Sequence, residues 1–140
     1  MAQWTIDALL SMFFAGITAI LAKYGMQSVH ADLALAVRTA VVFGAVLLLN
    51  SVNGRWNGIS SLTGRDLLFL LASGLATTLS WIFYYRAMKE GPVSSVAVID
   101  KASIVVTIVF AYFLFKEPVT MRTLAGAGLI VAGLFVLIGK

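Results

Sequence analysis

The chain has 140 residues, 61% of them hydrophobic and only 11% charged, with a formal net charge of +4. Its mean hydropathy is +0.99. Soluble domains carry roughly a quarter charged residues, so this composition excludes a water-covered surface and implies that lipid is the solvent. The positive charges form no block, which argues against nucleic-acid binding. With no cysteine there is neither disulfide framework nor thiolate chemistry.

A spanning helix needs about 20 mainly apolar residues. Five segments meet that length, over about 4–24, 32–52, 66–88, 93–115 and 121–139. The predicted fold is therefore an all-α integral membrane protein of five transmembrane helices forming a single domain. The first segment has no basic residue before Lys23, which argues against a cleaved signal peptide. Gly25 to Ala31 is a short polar turn, and His30 within it is a lone loop histidine rather than a metal site. Asn53-Gly54-Arg55-Trp56-Asn57-Gly58 opens the longest loop. Lys89-Glu90-Gly91-Pro92 stops the third helix, with Pro92 suited to the first turn of the fourth. Lys116-Glu117-Pro118 ends the fourth. The runs are continuously apolar rather than alternating, which excludes a strand barrel.

Loop charges set orientation. Arg55, Arg65, Lys116 and Arg122 fall on one side, and Lys23, Arg86, Lys89 and Lys140 on the other. The two sides balance. One reading is insertion in both orientations and antiparallel pairing of the chain with itself. The other is chance balance in a short chain, or orientation fixed by a partner.

Charges at bilayer depth are costly and mark functional interiors. Asp100 and Lys101 lie roughly 14 Å into the fourth helix at 1.5 Å per residue, near the midplane. Arg38 lies about two turns into the second. Asp100, Ser103 and Thr107 share one helical stripe, matched by Ser73, Thr77, Ser80 and Tyr84 on the third helix and by Asp7, Ser11 and Thr18 on the first. Such stripes line a polar passage, or else bond backbone carbonyls and glue helices together. Neighbours on a helix point about 100° apart, so Asp100 and Lys101 are expected to pair elsewhere, for example Asp100 with Arg38. A cavity holding these cations suits an anionic or zwitterionic solute. Trp81 is the best candidate for stacking on a solute, while Trp4 and Trp56 read as interface anchors. In the fifth helix Gly126 and Gly133 share a small-residue face that fits either a dimer seam or packing within the monomer.

Three stretches then form an ordered pattern: Gly91-Pro92-Val93 through Ile99-Asp100-Lys101, then Phe115-Lys116-Glu117-Pro118-Val119-Thr120, then Gly126 to Gly133. This pattern resembles the EamA domain of the drug/metabolite transporter superfamily, across essentially the whole chain. The resemblance implies one half of a ten-helix inverted-repeat carrier, completed as a dimer. The last helix also resembles the dimer-forming helix of small multidrug resistance proteins, with Gly126, Leu129, Ile130 and Gly133 at its fixed positions. Those proteins use a glutamate in the first helix, where this chain has Ala15 or a close neighbour. That departure leaves Asp100 as the acid through which any proton coupling would run.

The expected function is transport of small organic solutes across the bacterial inner membrane by alternating access, without a cofactor. Asp100, Lys101 and Arg38 would set charge preference. Ser73, Thr77, Ser80, Trp81, Tyr84, Ser103 and Thr107 would line the passage. The expected assembly is an antiparallel homodimer or a heterodimer with a sister chain. The competing reading is a non-transporting membrane subunit that regulates a partner. An intramembrane enzyme has little support, because no span holds histidine, cysteine or paired acids on one face.

Overall fold

The computed structural model describes residues 2–138. The end of the last predicted helix at Gly139 and the charge of Lys140 lie outside the described residues. The described residues are all helical, without strands, and their contacts divide the chain into two units that meet in sequence between Glu90 and Gly91.

The first unit holds α1 (Gln3–Gly25), α2 (Ala31–Val52), a 3-10 turn (Arg55–Ser61) and α3 (Gly64–Glu90). The chain leaves α2 through Asn53 and then Gly54, whose φ of +62° is a left-handed conformation that glycine adopts without a Cβ penalty. α3 opens with a reciprocal cap. The Thr63 amide donates to Asp66 Oδ2 at 3.0 Å, and the Asp66 amide donates to Thr63 Oγ1 at 3.2 Å. This is a capping box with aspartate in the usual glutamate position.

The second unit holds α4 (Val93–Lys101), α5 (Ser103–Phe115) and α6 (Met121–Ile138). The predicted fourth helix is thus stepped at Ala102. There the Ala102 amide donates to the Ile99 carbonyl at 3.0 Å, and the Val105 amide to the Ala102 carbonyl at 3.1 Å, both three residues back. A tightened turn inside a helix marks a hinge or a strained site. Neither glycine nor proline stands here, so the usual sequence marks of a break are missing. Pro92 sits at the N-cap of α4, one position earlier than expected. α5 ends on Lys116 in a left-handed conformation, φ +54°, and Pro118 follows. Thr120 caps α6, its Oγ1 accepting the Thr123 amide at 3.2 Å.

α1, α2, α3 and the run Val93–Phe115 are each long and apolar enough to cross a membrane, and the apolar stretch of α6, Met121–Leu137, is shorter. Most large apolar side chains are exposed, among them Phe13, Phe43, Phe69 and Phe113. Lipid and protein surfaces can cover such a face. In the first unit the buried side chains are Ala19, Met26, Ala31, Leu35, Tyr85 and Met88. All six lie near the C-terminus of α1, the N-terminus of α2 or the C-terminus of α3, so the three helices converge at one end.

Candidate functional site

That convergent end brings two helix C-termini together, each carrying the partial negative charge of unsatisfied carbonyls. The sequence places a lysine in the last turn of both helices. Each lysine crosses to the other strand of chain. Lys23 Nζ donates to the carbonyls of Met88 and Lys89. Lys89 Nζ donates to the carbonyls of Met26 and Gln27, the latter at 2.8 Å. Met26 and Met88 are fully buried beneath this exchange. Beside it Arg86 binds Asp32 bidentately, Nε to Oδ1 at 2.9 Å and Nη2 to Oδ2 at 2.8 Å. Asp32 stands in the first turn of α2, where a negative charge suits the positive end of the helix.

About 10 Å further into the span, at 1.5 Å per residue, Arg38 leaves α2 toward α3. Its guanidinium lies 4.3 Å from the centre of the Trp81 ring and 5.7 Å from that of Tyr85. Cation–π attraction grows when the pair is shielded from water, to about 2 kcal/mol. No hydrogen bond or ion pair of Arg38 is present among the described residues.

Two grooves flank this stack. One, of about 900 Å³, runs between α2 and α3 and is lined by Thr39, Ser73, Thr77, Thr78 and Trp81, with the Asp32–Arg86 pair at its end. The other, of about 530 Å³, lies between α1 and α2 and is lined by Thr18, Leu21, Leu33, Val37, Arg38 and Tyr85. Several hydroxyls in these grooves turn back on their own helices. Thr77 bonds the Ser73 carbonyl at 2.9 Å, Thr78 the Gly74 carbonyl at 2.9 Å, Thr39 the Leu35 carbonyl at 2.8 Å and Thr18 the Phe14 carbonyl at 2.8 Å. Their oxygens keep acceptor capacity for a solute.

In the second unit Lys101, Ser103 and Thr107 line a groove of about 660 Å³ together with Leu129, Ile130 and Gly133 of α6. Residues read as passage-lining and residues read as dimer-forming therefore share one groove. Gly126 is not among those that line it. Thr107 bonds the Ser103 carbonyl at 3.2 Å. Asp100 and Lys101 pair with each other, Nζ to Oδ2 at 3.3 Å, rather than pointing apart. The 100° offset governs where the side chains start, and the long lysine stem carries its ammonium back across it.

Of the other expected residues, Ser80 and Tyr84 line none of these grooves, and the Tyr84 ring lies 6.4 Å from that of Tyr85. The structure adds Tyr85, Asp32, Arg86 and Thr39. Tyr85, which the sequence groups with Trp81 and Tyr84 as aromatics near the end of the third helix, is set against Arg38 by its rotation about α3. Asp32 and Arg86 read as ordinary helix-end charges.

The family model described as the EamA-like transporter family matches residues 3–139. A protein of Sinorhizobium sp. named "Uncharacterized transporter in cobO 3'region" is 38% identical over 135 residues, spanning 96% of each chain. No solved structure matches this chain. A match over almost the full length, to a family of transporters and to a relative named as one, on a chain of apolar helices, leads to one conclusion: the chain belongs to the EamA-like transporter family and is a multi-pass membrane transporter, not an enzyme.

Proposed function

We propose that the two units act as one five-helix half-carrier, which pairs antiparallel with a second copy in the cell membrane. The pair moves small organic solutes by alternating access, one half rocking against its inverted copy around a site near the midplane. The observation that carries this reading is the α2–α3 groove. Ser73, Thr77 and Trp81 line it, Arg38 stacks on the Trp81 ring, and α3 is exposed along Leu71–Ser80. Polar side chains gathered on an open flank of an otherwise apolar chain suit a wet passage shared with another half. The tightened turn at Ala102 directly follows Asp100 and Lys101 and supports this reading, broken helices being a recurring device at transporter sites.

The test has two parts. Paired cytoplasmic and periplasmic reporters fused after Lys140 read orientation, and both are expected to be active. Activity on one side alone ends the self-inverted dimer and turns the search to an oppositely oriented partner. Purified chain in proteoliposomes should then exchange solute, and Trp81→Ala should slow that exchange about tenfold or more while assembly is retained. Exchange unaffected by Trp81→Ala would remove this groove from the pathway.

A further inference from the structure

The α1–α2 groove is lined by two residues whose donors find no hydrogen-bond acceptor among the described residues. Tyr85 is 2% exposed, and its hydroxyl has no hydrogen-bond partner among the described residues. A buried donor without an acceptor is uncommon and calls for a specific explanation. Arg38 lines the same groove, its guanidinium over the rings of Trp81 and Tyr85 and without a hydrogen bond or ion pair among the described residues. No acidic residue lines the groove, and Leu21, Val29, Leu33 and Val37 make its walls apolar. Arg38 and Tyr85 thus both line an open, mainly apolar groove of about 530 Å³, within the usual size range of small-molecule sites.

We propose that this groove binds the carboxylate of a monoanionic organic acid, its oxygens taken by the Arg38 guanidinium and the Tyr85 hydroxyl and its apolar body lying along Leu21, Leu33 and Val37. This rests on the transporter reading and supplies its solute class. The charge balance selects a monoanion. A dianion leaves a net negative charge in the groove, and a solute without an anionic group leaves Arg38 unpaired. A carboxylate accepts from both donors at once, and charge-assisted bonds of this kind are the strong ones. The guanidinium stacks on Trp81, so an acid that takes it up changes the surroundings of that ring. Trp81 is thus a built-in reporter of occupancy.

The full chain, purified in nanodiscs with Trp4→Phe and Trp56→Phe so that Trp81 alone emits, is titrated with hydrocinnamate. The controls are its neutral amide and inorganic phosphate. The expected result is a saturable change in Trp81 emission with the acid, at least about tenfold weaker with the amide or phosphate. Tyr85→Phe should weaken the acid about tenfold or more, as befits a bond to a charged group, while the ligand-free protein stays as resistant to thermal unfolding as before. A merely structural tyrosine would show the opposite split. Arg38→Lys should retain part of the affinity and Arg38→Gln none.

Equal affinity for acid and amide, or unchanged acid affinity in Tyr85→Phe, overturns the proposal. So does Asp100→Asn shifting ligand-free Trp81 emission as Arg38→Gln does, because the acceptor would then be the chain's own acid. Oleate is run in parallel. If oleate binds with the same dependence on Arg38 and Tyr85 and hydrocinnamate does not, the carboxylate site stands and its source is the bilayer. If neither acid binds, the site is wrong. Flux in proteoliposomes is measured separately, so acid binding without flux leaves the site intact and defeats the transporter mechanism instead.

Discussion

The crossed lysines at the convergent end offer the sharpest test of how the first unit is held together. Lys23→Met and Lys89→Met each keep an unbranched stem to pack and remove only the ammonium. In Lys23→Met the carbonyls of Met88 and Lys89 lose their cation, and in Lys89→Met those of Met26 and Gln27 do. Hydrogen bonds to charged groups contribute about 1.5–3 kcal/mol net, so each single change should cost that much. Against a typical total of about 5–15 kcal/mol this is a large share. The two clamps join the same two chain ends over the same buried pair, Met26 and Met88, so they should not be independent. Once one clamp is gone the ends fray and the second holds less. The double variant is expected to lose less than the sum, with a coupling of about 0.5–3 kcal/mol, the range found for residues in one network. The assay is reversible unfolding in mixed micelles, followed by far-UV circular dichroism, for the parent, both singles and the double. Singles within about 0.5 kcal/mol of the parent would refute the electrostatic role of the lysines. Strict additivity would refute the shared end.

Two further outcomes follow from other contacts. Asp32→Arg should impair assembly of the folded chain, and Asp32→Arg with Arg86→Asp should recover part of it by restoring the pair with opposite polarity; recovery stays incomplete because an arginine then faces the positive end of α2. Equal behaviour of single and double variants, read by gel filtration, would show that the pair has no directional role. A Cβ at Gly126 or Gly133 meets no described atom within 4 Å outside its own stretch of helix, so Gly126→Ala and Gly133→Ala should fold. If α6 forms the seam between copies, both should lower the yield of cross-linked dimer several-fold. An unchanged yield would move the seam elsewhere.

Much of this architecture was legible along the chain. Hydropathy alone located the apolar runs, because a lipid-spanning helix is a local length requirement on apolar residues, but it read α4 and α5 as one helix. The stop at Pro92, the turn at Asn53-Gly54 and the cap at Thr120 follow from chemistry within a few positions of each. The lysines in the last turns of α1 and α3 were equally visible as single charges. What they do was not, because each donates to carbonyls more than 60 residues away. The stack of Arg38 on Trp81 and the covered hydroxyl of Tyr85 depend on how α2 and α3 are rotated about their axes. Stripe counting cannot supply that rotation for helices apolar on every side, since a lipid-facing side and a packed side read alike. The step at Ala102 carries no glycine or proline to announce it, and the ion pair of Asp100 with Lys101 depends on a rotamer rather than on spacing. The sequence by itself therefore determined the solvent, the apolar helical runs and the family pattern. The tertiary structure decided which charges clamp helix ends, which one stacks on a ring and which buried donor still lacks an acceptor, because those depend on distances between segments that no local pattern encodes.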